Sequence, residues 1–263
     1  MPGTITLTQG DAEGVALLTL AHPAKMNAID IAMWRELQAL MLHLQAMAPA
    51  DAPHAVIVRG TDGHFAAGGD IVEFAGFRFE EETLRDFHEN VVAPALHALI
   101  DCDIPLFAQI EGNCIGGGME IAACCDIRIC GEGSRFGAPI ARLGFPMAPL
   151  ELEVVSRVVP EAVLREMLLE ARLFTAHAAL HHGLVHAVVP DAEVAAHTLA
   201  RAKALAHLSP QAARINKRTM RQLATGGPSE AERTAHYGYA PSEEHREGVM
   251  AFIEKRTPRF QRG

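Results

Sequence analysis

Three consecutive glycines with a carboxylate close behind them are the residues of this sequence best suited to chemistry. Gly116, Gly117 and Gly118 follow an apolar residue, and Glu120 comes two positions after the last of them. Glycine lets the main chain approach a ligand closely, and a helix beginning here directs unpaired N–H groups at negative charge in front of it. Because Glu120 lies three residues after Gly117, both face one side of such a helix. The spacing predicts an oxyanion donor and a proton carrier on one pocket wall.

The same glycines allow a second interpretation, a loop that holds the pyrophosphate of a dinucleotide. A strand, a glycine-rich turn and a helix are also the elements of that kind of site. Gly112 and the triplet do not reproduce the G-x-G-x-x-G spacing, however, and Glu120 would put negative charge beside the phosphates. The spacing therefore disfavours a nucleotide site.

The elements that position these residues begin with a predicted hairpin. Residues 4–7 alternate between polar and apolar, residues 15–20 form an apolar run, and residues 11–14 have the composition of a turn. Asp30 precedes apolar residues at helical spacing, which predicts a capped helix.

Beyond this helix, apolar strands alternate with helical stretches. Strands are predicted at 55–58, 106–110 and 127–129, with helices at 81–99 and 121–125. Such alternation implies crossover connections and a largely parallel sheet, so the predicted fold class is α/β.

The last third of the chain is predicted to be mainly helical. One further strand is expected near residues 184–189, a helix start at Ser209-Pro210, and a hinge at residues 226–229. We expect a core at residues 1–200 and a helical C-terminal region at 201–263.

Composition excludes several functional classes. The 263 residues, 49% hydrophobic, can bury a large core, and a formal net charge of −9 argues against a general nucleic-acid binder. No apolar run reaches the roughly 18 residues of a membrane span, and the N-terminus lacks a secretory signal. The five cysteines lack the spacing of a zinc site, so buried thiols are expected. We expect a cytoplasmic protein without a metal site.

Four segments in sequence order resemble the crotonase, or enoyl-CoA hydratase/isomerase, superfamily, and together they span nearly the whole chain. Residues 22–29 (HPAKMNAI) are similar to its Arg-Pro-x-x-x-Asn-Ala-Leu element, and residues 65–71 (FAAGGDI) to its Phe-x-Ala-Gly-x-Asp-Leu signature. The glycine triplet with Glu120 resembles the central motif. Residues 247–256 (EGVMAFIEKR) resemble the C-terminal Glu-Gly-x-x-Ala-Phe-x-Glu-Lys-Arg.

This resemblance implies a crotonase-type spiral of strand-and-helix units that acts on an acyl-CoA thioester. The backbone N–H groups of Ala67 and Gly117 would form an oxyanion hole around the thioester carbonyl, each donor worth roughly 3 to 4 kcal/mol of barrier. Glu120 would be the catalytic acid/base of an enolate mechanism. No separate cofactor is implied, because coenzyme A is part of the substrate.

The resemblance also implies a set of residues that bind the substrate and its CoA moiety. Lys25 and Lys255 suit phosphate groups, and Phe252 suits adenine, with the C-terminal helix serving a neighbouring subunit in a homotrimer or homohexamer. Asp70 is interpreted mainly as a cap or loop organiser. The full set is Lys25, Ala28, Ala67, Gly68, Gly69, Asp70, Gly117, Ile140, Phe252 and Lys255.

The chain departs from the family pattern after Phe136-Gly137-Ala138-Pro139, where hydratases have a second glutamate and this chain has Ile140. Addition of water to a conjugated double bond calls for two proton-carrying groups, and isoleucine carries none. Ordinary hydratase activity is therefore in doubt. Alternatives are double-bond shift, decarboxylation of a malonyl-type thioester, C–C cleavage, or a catalytically silent acyl-CoA-binding protein.

The segment that follows, residues 141–153, also departs from the family's glycine-rich helix start. Arg142, Glu151 and Glu153 are interpreted as surface or cap residues, the commoner fate of such charges. Alternatively, one of them supplies the missing acid or pairs with a substrate carboxylate. His64, just before Phe65, is the one histidine near the predicted site, either a loop residue or a catalytic group.

Overall fold

The computed structural model of the chain describes residues 2–10 and 14–260. Its strands are β1 Thr4–Gln9, β2 Val15–Ala21, β3 Ala55–Gly60, β4 Leu106–Ile110, β5 Asn113–Ile115, β6 Ile127–Gly131, β7 Arg135–Gly137, β8 Phe174–Thr175 and β9 Ala187–Val189. Its helices are α1 Ile31–Ala46, α2 Ile71–Phe74, α3 Glu81–Phe87, α4 Ala93–Asp101, α5 Gly117–Cys124, α6 Pro149–Ser156, α7 Glu161–Leu169, α8 Ala176–His181, α9 Val194–Ala206, α10 Pro210–Ala224, α11 Glu230–His236 and α12 Glu243–Ile253.

A six-stranded sheet in the order β1-β2-β3-β4-β6-β9 forms the centre of the fold. The predicted hairpin is confirmed by the antiparallel pairing of β1 with β2, in which Leu7 lies opposite Leu18. All other pairs in this sheet are parallel, as the strand–helix alternation predicts. Residues 11–13 of the predicted turn lie outside the described residues.

Helices cover both faces of this sheet. Every residue of β4 is buried, as expected for a parallel strand packed on both sides. One face packs against α1, α4 and α5 through residues such as Leu37 and Leu99. On the other face Phe107 and Ile129 pack against Ala202 of α9. The larger core lies on the first face, beneath the glycine-rich segment.

A second sheet of three short strands, in the order β5-β7-β8, carries the glycine triplet. β5 pairs with β7 in parallel, and a single bridge joins Cys114 of β5 to Ala66. Sequence periodicity did not predict this sheet, because its strands are only two or three residues long and show no repeat.

The predicted helix at 81–99 is present but is interrupted by a π-helical turn at His88–Val92, between α3 and α4. The predicted cap is confirmed, since the Asp30 carboxylate accepts a hydrogen bond from the N–H of Met33 at 2.8 Å. The boundary predicted after residue 200 lies inside α9, and the division into a core and a helical C-terminal region stays a prediction.

Asn27 joins the loop before α1 to the loop after β3. It is 1% exposed and has a positive φ of 58°. Its Nδ2 donates to the carbonyls of Thr61 and His64 at 2.9 and 2.8 Å, while its Oδ1 accepts from the N–H of His22 at 3.1 Å. This side chain therefore fixes the start of the segment that leads to Gly68 and Gly69.

We expect Asn27→Ala to lower the free energy of unfolding by about 2 to 4 kcal/mol, because buried partners lose their hydrogen bonds and alanine tolerates positive φ poorly. Urea denaturation measures the loss. Asn90 is the control: it is exposed and bonds only Asp86, so Asn90→Ala should change stability by less than about 0.5 kcal/mol. Equal losses in the two variants would contradict the role of Asn27.

Candidate active site

A pocket of about 250 Å³ lies between the two glycine-rich segments and the first turn of α6. Its wall is mostly apolar and includes Trp34, Phe74 and Phe145. The side chains in its lining that can carry charge are Arg78, His88, Glu120, Arg142 and Glu151. The pocket thus combines free backbone groups with several ionisable side chains.

Helix α5 begins at the glycine triplet and presents its first N–H groups to the pocket. Gly116 has a positive φ of 50°, and its own N–H donates to the carbonyl of Gly137 at 2.8 Å. The N–H of Gly117, the first helical residue, has no acceptor among the described residues. As the sequence predicts, an unpaired helical donor therefore faces the pocket.

Glycine is required here because two chain segments approach closely. A Cβ at Gly118 would lie 2.7 Å from the carbonyl oxygen of Ala66, and a Cβ at Gly117 would lie 2.9 Å from the Trp34 ring. The bridge between Ala66 and Cys114 holds the segments together through hydrogen bonds of 2.9 and 3.0 Å.

The predicted oxyanion donor Ala67 requires a correction. Ala67 lines the pocket, but its N–H donates to the carbonyl of Met26 at 3.0 Å and is therefore not free for a substrate. The prediction was wrong because the direction of an N–H group depends on the neighbouring chain, and one sequence motif does not contain that information.

Gly69 supplies the free donor two residues later. Its neighbours bond to one side: the carbonyl of Gly68 accepts from Ile29 at 2.8 Å, and the N–H of Asp70 donates to Ile29 at 2.9 Å. Because N–H groups alternate in direction along an extended chain, the N–H of Gly69 points away from Ile29. It has no acceptor among the described residues, and Gly69 lines the pocket.

Glu120 lies on α5 one turn after Gly117, as its spacing predicts. It is 7% exposed and lines the pocket, and its carboxylate has no hydrogen-bond partner among the described residues. Burial raises the pKa of Glu120 well above its ordinary value, the negative charge of Glu151 raises it further, and Arg78 acts in the opposite direction. Glu120 therefore combines access to the pocket with a pKa suited to proton transfer.

The two glutamates of α6 have different surroundings. Glu151 is 4% exposed, lines the pocket and pairs with His88 across 2.5 Å, between its Oε1 and the imidazole Nδ1. Glu153 is exposed and lies outside the pocket lining. Of the charged residues that the sequence left open on this helix, the structure brings only Glu151 to Glu120.

Arg78 is held between two aromatic rings at the pocket wall. Its guanidinium carbon lies 4.1 Å from the ring centroid of Phe74 and 3.9 Å from that of Phe145. Burial lowers the pKa of Arg78, and the charges of Glu151 and Glu120 counter this effect. The cation moderates the repulsion between the two carboxylates.

Ile140 also lines the pocket, at the start of a short helical turn. The departure from the family pattern therefore lies in the site. Arg142 reaches the pocket lining but donates to the carbonyl of Ala171 at 3.1 Å.

Several predicted residues lie outside this pocket. Lys25 pairs with Asp70 at 2.5 Å, and Asp70 caps α2 by accepting from the N–H of Val72 at 3.2 Å, which confirms its role as an organiser of the loop. His64 accepts from the N–H of Asn113 at 3.2 Å.

The remaining predicted CoA-binding residues also lie outside the pocket lining. Ala28 is buried, and its carbonyl oxygen lies 2.6 Å from the ring nitrogen Nδ1 of His22. Phe252 and Lys255 lie at the end of α12, where Phe252 is 86% exposed. Their roles in binding CoA stay predictions.

Sequence reasoning missed two charged residues of the site, Arg78 and His88. Arg78 follows α2 in a stretch rich in phenylalanine, and His88 begins the π-helical turn. Neither segment matches a family motif. An arginine among clustered aromatic residues was the only signal available.

The described residues contain no cluster of three potential metal ligands, and none of their helices is long and apolar enough to cross a membrane. The five cysteines are buried and unpaired, as predicted.

Comparison with known proteins identifies the family of this fold and site. The sequence profile of the enoyl-CoA hydratase/isomerase family matches residues 10–263. The chain therefore belongs to this family, and the crotonase-type fold is confirmed.

Individual relatives agree with this assignment. The chain is 32% identical over 251 residues to a 2,3-dehydroadipyl-CoA hydratase of Escherichia coli K12, covering 94% of this chain and 95% of that protein. It is 30% identical to a probable enoyl-CoA hydratase of Mycobacterium bovis, with 94% of both chains covered. A crystal structure of an enoyl-CoA hydratase/carnithine racemase from Magnetospirillum magneticum superposes with a TM-score of 0.92 at 36% identity, covering 98% of this chain and 96% of that one.

The buried carboxylate of Glu120 should reduce stability at neutral pH. Its pKa is raised in the folded state, so the folded protein binds this proton more tightly than the unfolded chain, and stability falls as pH rises above the ordinary value of 4.5. We expect Glu120→Gln to raise the melting temperature at about pH 7.5 and to have little effect near about pH 4. The gain is limited to about 1.4 kcal/mol for each unit by which the pKa is raised. A lower melting temperature of the variant at neutral pH would contradict this expectation.

Proposed function

We propose that the protein transforms an acyl-CoA thioester through an enolate whose oxygen is bound by the N–H groups of Gly69 and Gly117. The observation that carries this proposal is the position of Glu120: a buried carboxylate one helical turn from a free N–H, in the same pocket. Membership of the enoyl-CoA hydratase/isomerase family supports an acyl-CoA substrate.

The chemistry begins at the carbon next to the thioester carbonyl. Glu120 removes a proton from this carbon, and the electron pair of the broken C–H bond moves onto the carbonyl oxygen. The two N–H groups stabilise this oxygen where its charge develops, in a largely apolar pocket that strengthens their effect. Return of the proton from Glu120 to carbon completes an exchange or shifts a double bond.

The raised pKa of Glu120 suits this role. An ordinary carboxylate is a weak base, whereas a buried one whose pKa is raised by desolvation and by the charge of Glu151 holds a proton more strongly. Such a group is a stronger base than an exposed carboxylate, and once protonated it can return the proton to carbon.

Ile140 favours reactions that do not need a second glutamate at the family position. Double-bond shift needs one proton carrier, and decarboxylation of a malonyl-type thioester or C–C cleavage needs mainly the oxyanion donors. A catalytically silent acyl-CoA-binding protein is the competing class, since loss of that glutamate removes a group that hydration in this family requires.

Deuterium exchange separates these classes. In D₂O, we expect the protein to introduce deuterium next to the carbonyl of saturated acyl-CoA esters, and we expect Glu120→Gln to slow this exchange by at least about 100-fold, because a positioned general base contributes that much. Mass spectrometry of butyryl-CoA and hexanoyl-CoA measures it.

Glu132→Gln is the matched control, because Glu132 is exposed and lies outside the pocket lining. Its exchange rate should equal that of the unaltered protein. Tight binding of both esters by calorimetry without any exchange would leave the silent binder as the function, and an unchanged rate in Glu120→Gln would remove Glu120 from the mechanism.

A second variant tests the departure at Ile140. We expect Ile140→Glu to increase the rate of water addition to crotonyl-CoA by about 10-fold or more, because it supplies a proton carrier at the family position. Loss of the conjugated absorbance of the enoyl thioester measures this rate, and Ile140→Gln, which cannot ionise, is the control. No gain in the glutamate variant would mean that the pocket has diverged beyond this one position.

The assembly stays a prediction of the resemblance. A homotrimer or homohexamer would give the exposed Phe252 and the nearby Lys255 a neighbouring subunit on which to act. Neither residue belongs to the pocket lining within one chain, which is consistent with such an arrangement.

A further inference from the structure

The pocket holds a second buried carboxylate that comes from a different element than the family's second glutamate. Glu151 lies in the first turn of α6, eleven positions after Ile140, and is 4% exposed. It lines the same pocket as Glu120, and its charge acts on Glu120 strongly enough to raise that pKa. The two carboxylates therefore share one environment.

His88 fixes the orientation of this carboxylate. The side chains of His88 and Glu151 are 15% and 5% exposed, and the 2.5 Å contact joins Nδ1 to Oε1. The second oxygen of Glu151, Oε2, has no hydrogen-bond partner among the described residues. One oxygen is thus anchored to an imidazole while the other is free to bind a small molecule in the pocket.

The segment that carries His88 adds to this argument. His88 begins a π-helical turn, an uncommon element that is frequent at functional sites. A nucleophile or water held by a base that is itself oriented by a third group is a recurrent catalytic arrangement. Arg78, between Phe74 and Phe145, supplies the positive charge that lets two carboxylates remain in one pocket.

A structural role for Glu151 is the alternative. A carboxylate in the first turn of a helix is favoured by the helix dipole, and the pair with His88 ties α6 to the π-helical turn. This alternative explains the contact between His88 and Glu151 but not why Glu120, whose carboxylate has no hydrogen-bond partner among the described residues, lies in the same pocket.

We propose that Glu151, oriented by His88, is the second acid/base of the site and activates a water molecule for addition to an α,β-unsaturated acyl-CoA, replacing the family glutamate absent at position 140. The inference rests on the proposed function, because it assigns the enolate step to Glu120 and the oxyanion donors. Glu151 would be a catalytic residue, and His88 a positioning residue.

Glu151 takes one proton from water as the water oxygen bonds to the β-carbon, and the π electrons of the C=C bond move to form the enolate. Protonated Glu120 then gives its proton to the α-carbon: the π pair of the enolate C=C bond forms the new C–H bond, and a lone pair of the enolate oxygen re-forms the thioester carbonyl. The product is a 3-hydroxyacyl-CoA, and transfer of the proton from Glu151 to Glu120 restores the starting state.

Two rates measured on the same variant test the proposal. The first is hydration of crotonyl-, hexenoyl- and octenoyl-CoA in water labelled with ¹⁸O, and the second is α-deuterium exchange of the saturated esters. We expect Glu151→Gln to lower the ratio of hydration to exchange by at least about 100-fold. Glu153→Gln is the control on the same helix, since Glu153 is exposed, and it should leave both rates as they are.

The His88 variants separate positioning from packing. Asparagine can place a donor near the position of Nδ1, whereas leucine cannot. We expect the kcat for hydration to be at least about 10-fold higher in His88→Asn than in His88→Leu, with circular dichroism establishing that both are folded. Equal values would overturn the positioning role.

The remaining outcomes are decisive against one proposal or the other. Unchanged hydration in Glu151→Gln, or equal loss of both rates in a folded variant, would overturn the role of Glu151 while the proposed function stands. Absence of hydration in the unaltered protein with all three enoyl esters, with exchange present, would overturn it as well. Absence of exchange and hydration together with tight binding would instead overturn the proposed function itself.

Discussion

The close approach of two chain segments, residues 66–69 and 113–118, is the constraint on which the rest of the site depends. The bridge between Ala66 and Cys114 fixes their distance, and Gly118 makes that distance possible because a Cβ there would lie 2.7 Å from the Ala66 carbonyl. Once the segments are in contact, the start of α5 and the turn at Gly69 lie side by side with unpaired N–H groups. The proposed oxyanion site is thus a property of backbone packing, and the hydrophobic core beneath α5 supports it.

The pocket buries ionisable side chains, although charged groups are more stable in water. Glu120 and Glu151 are both nearly buried, and two carboxylates in one apolar pocket repel each other and lose hydration. Arg78 moderates this cost, and His88 moderates it for Glu151. Buried titratable groups that lie together in one pocket are typical of sites where protons move. A site that only bound an acyl chain would gain affinity from apolar residues at these positions.

Sequence reasoning predicted the scaffold better than the site. The hairpin, β4 and the helix capped by Asp30 followed from periodicity and capping rules, whereas β5, β7 and β8 are too short for any repeat. Glu120 was placed correctly, because two residues three positions apart on a helix lie on the same face. Ala67 was not, because only the carbonyl of Met26 on a neighbouring loop determines where its N–H points. Contacts between distant parts of the chain, such as His88 with Glu151, carry no local pattern.

Because of the π-helical turn at residues 88–92, the number of residues between α3 and α4 determines how the site is built. Each residue turns a regular helix by about 100°, so the wider turn changes the angular register between α3 and α4. The shift lets α3, which is largely exposed apart from Phe87, continue into α4, which packs in the core. The imidazole of His88 lies at the junction between them. Loss of a single residue from the turn after His88 would keep this histidine in the sequence and yet turn its side chain away from α6. Evolution can therefore exchange residues in α3 more freely than it can alter the number of residues between Phe87 and Ala93.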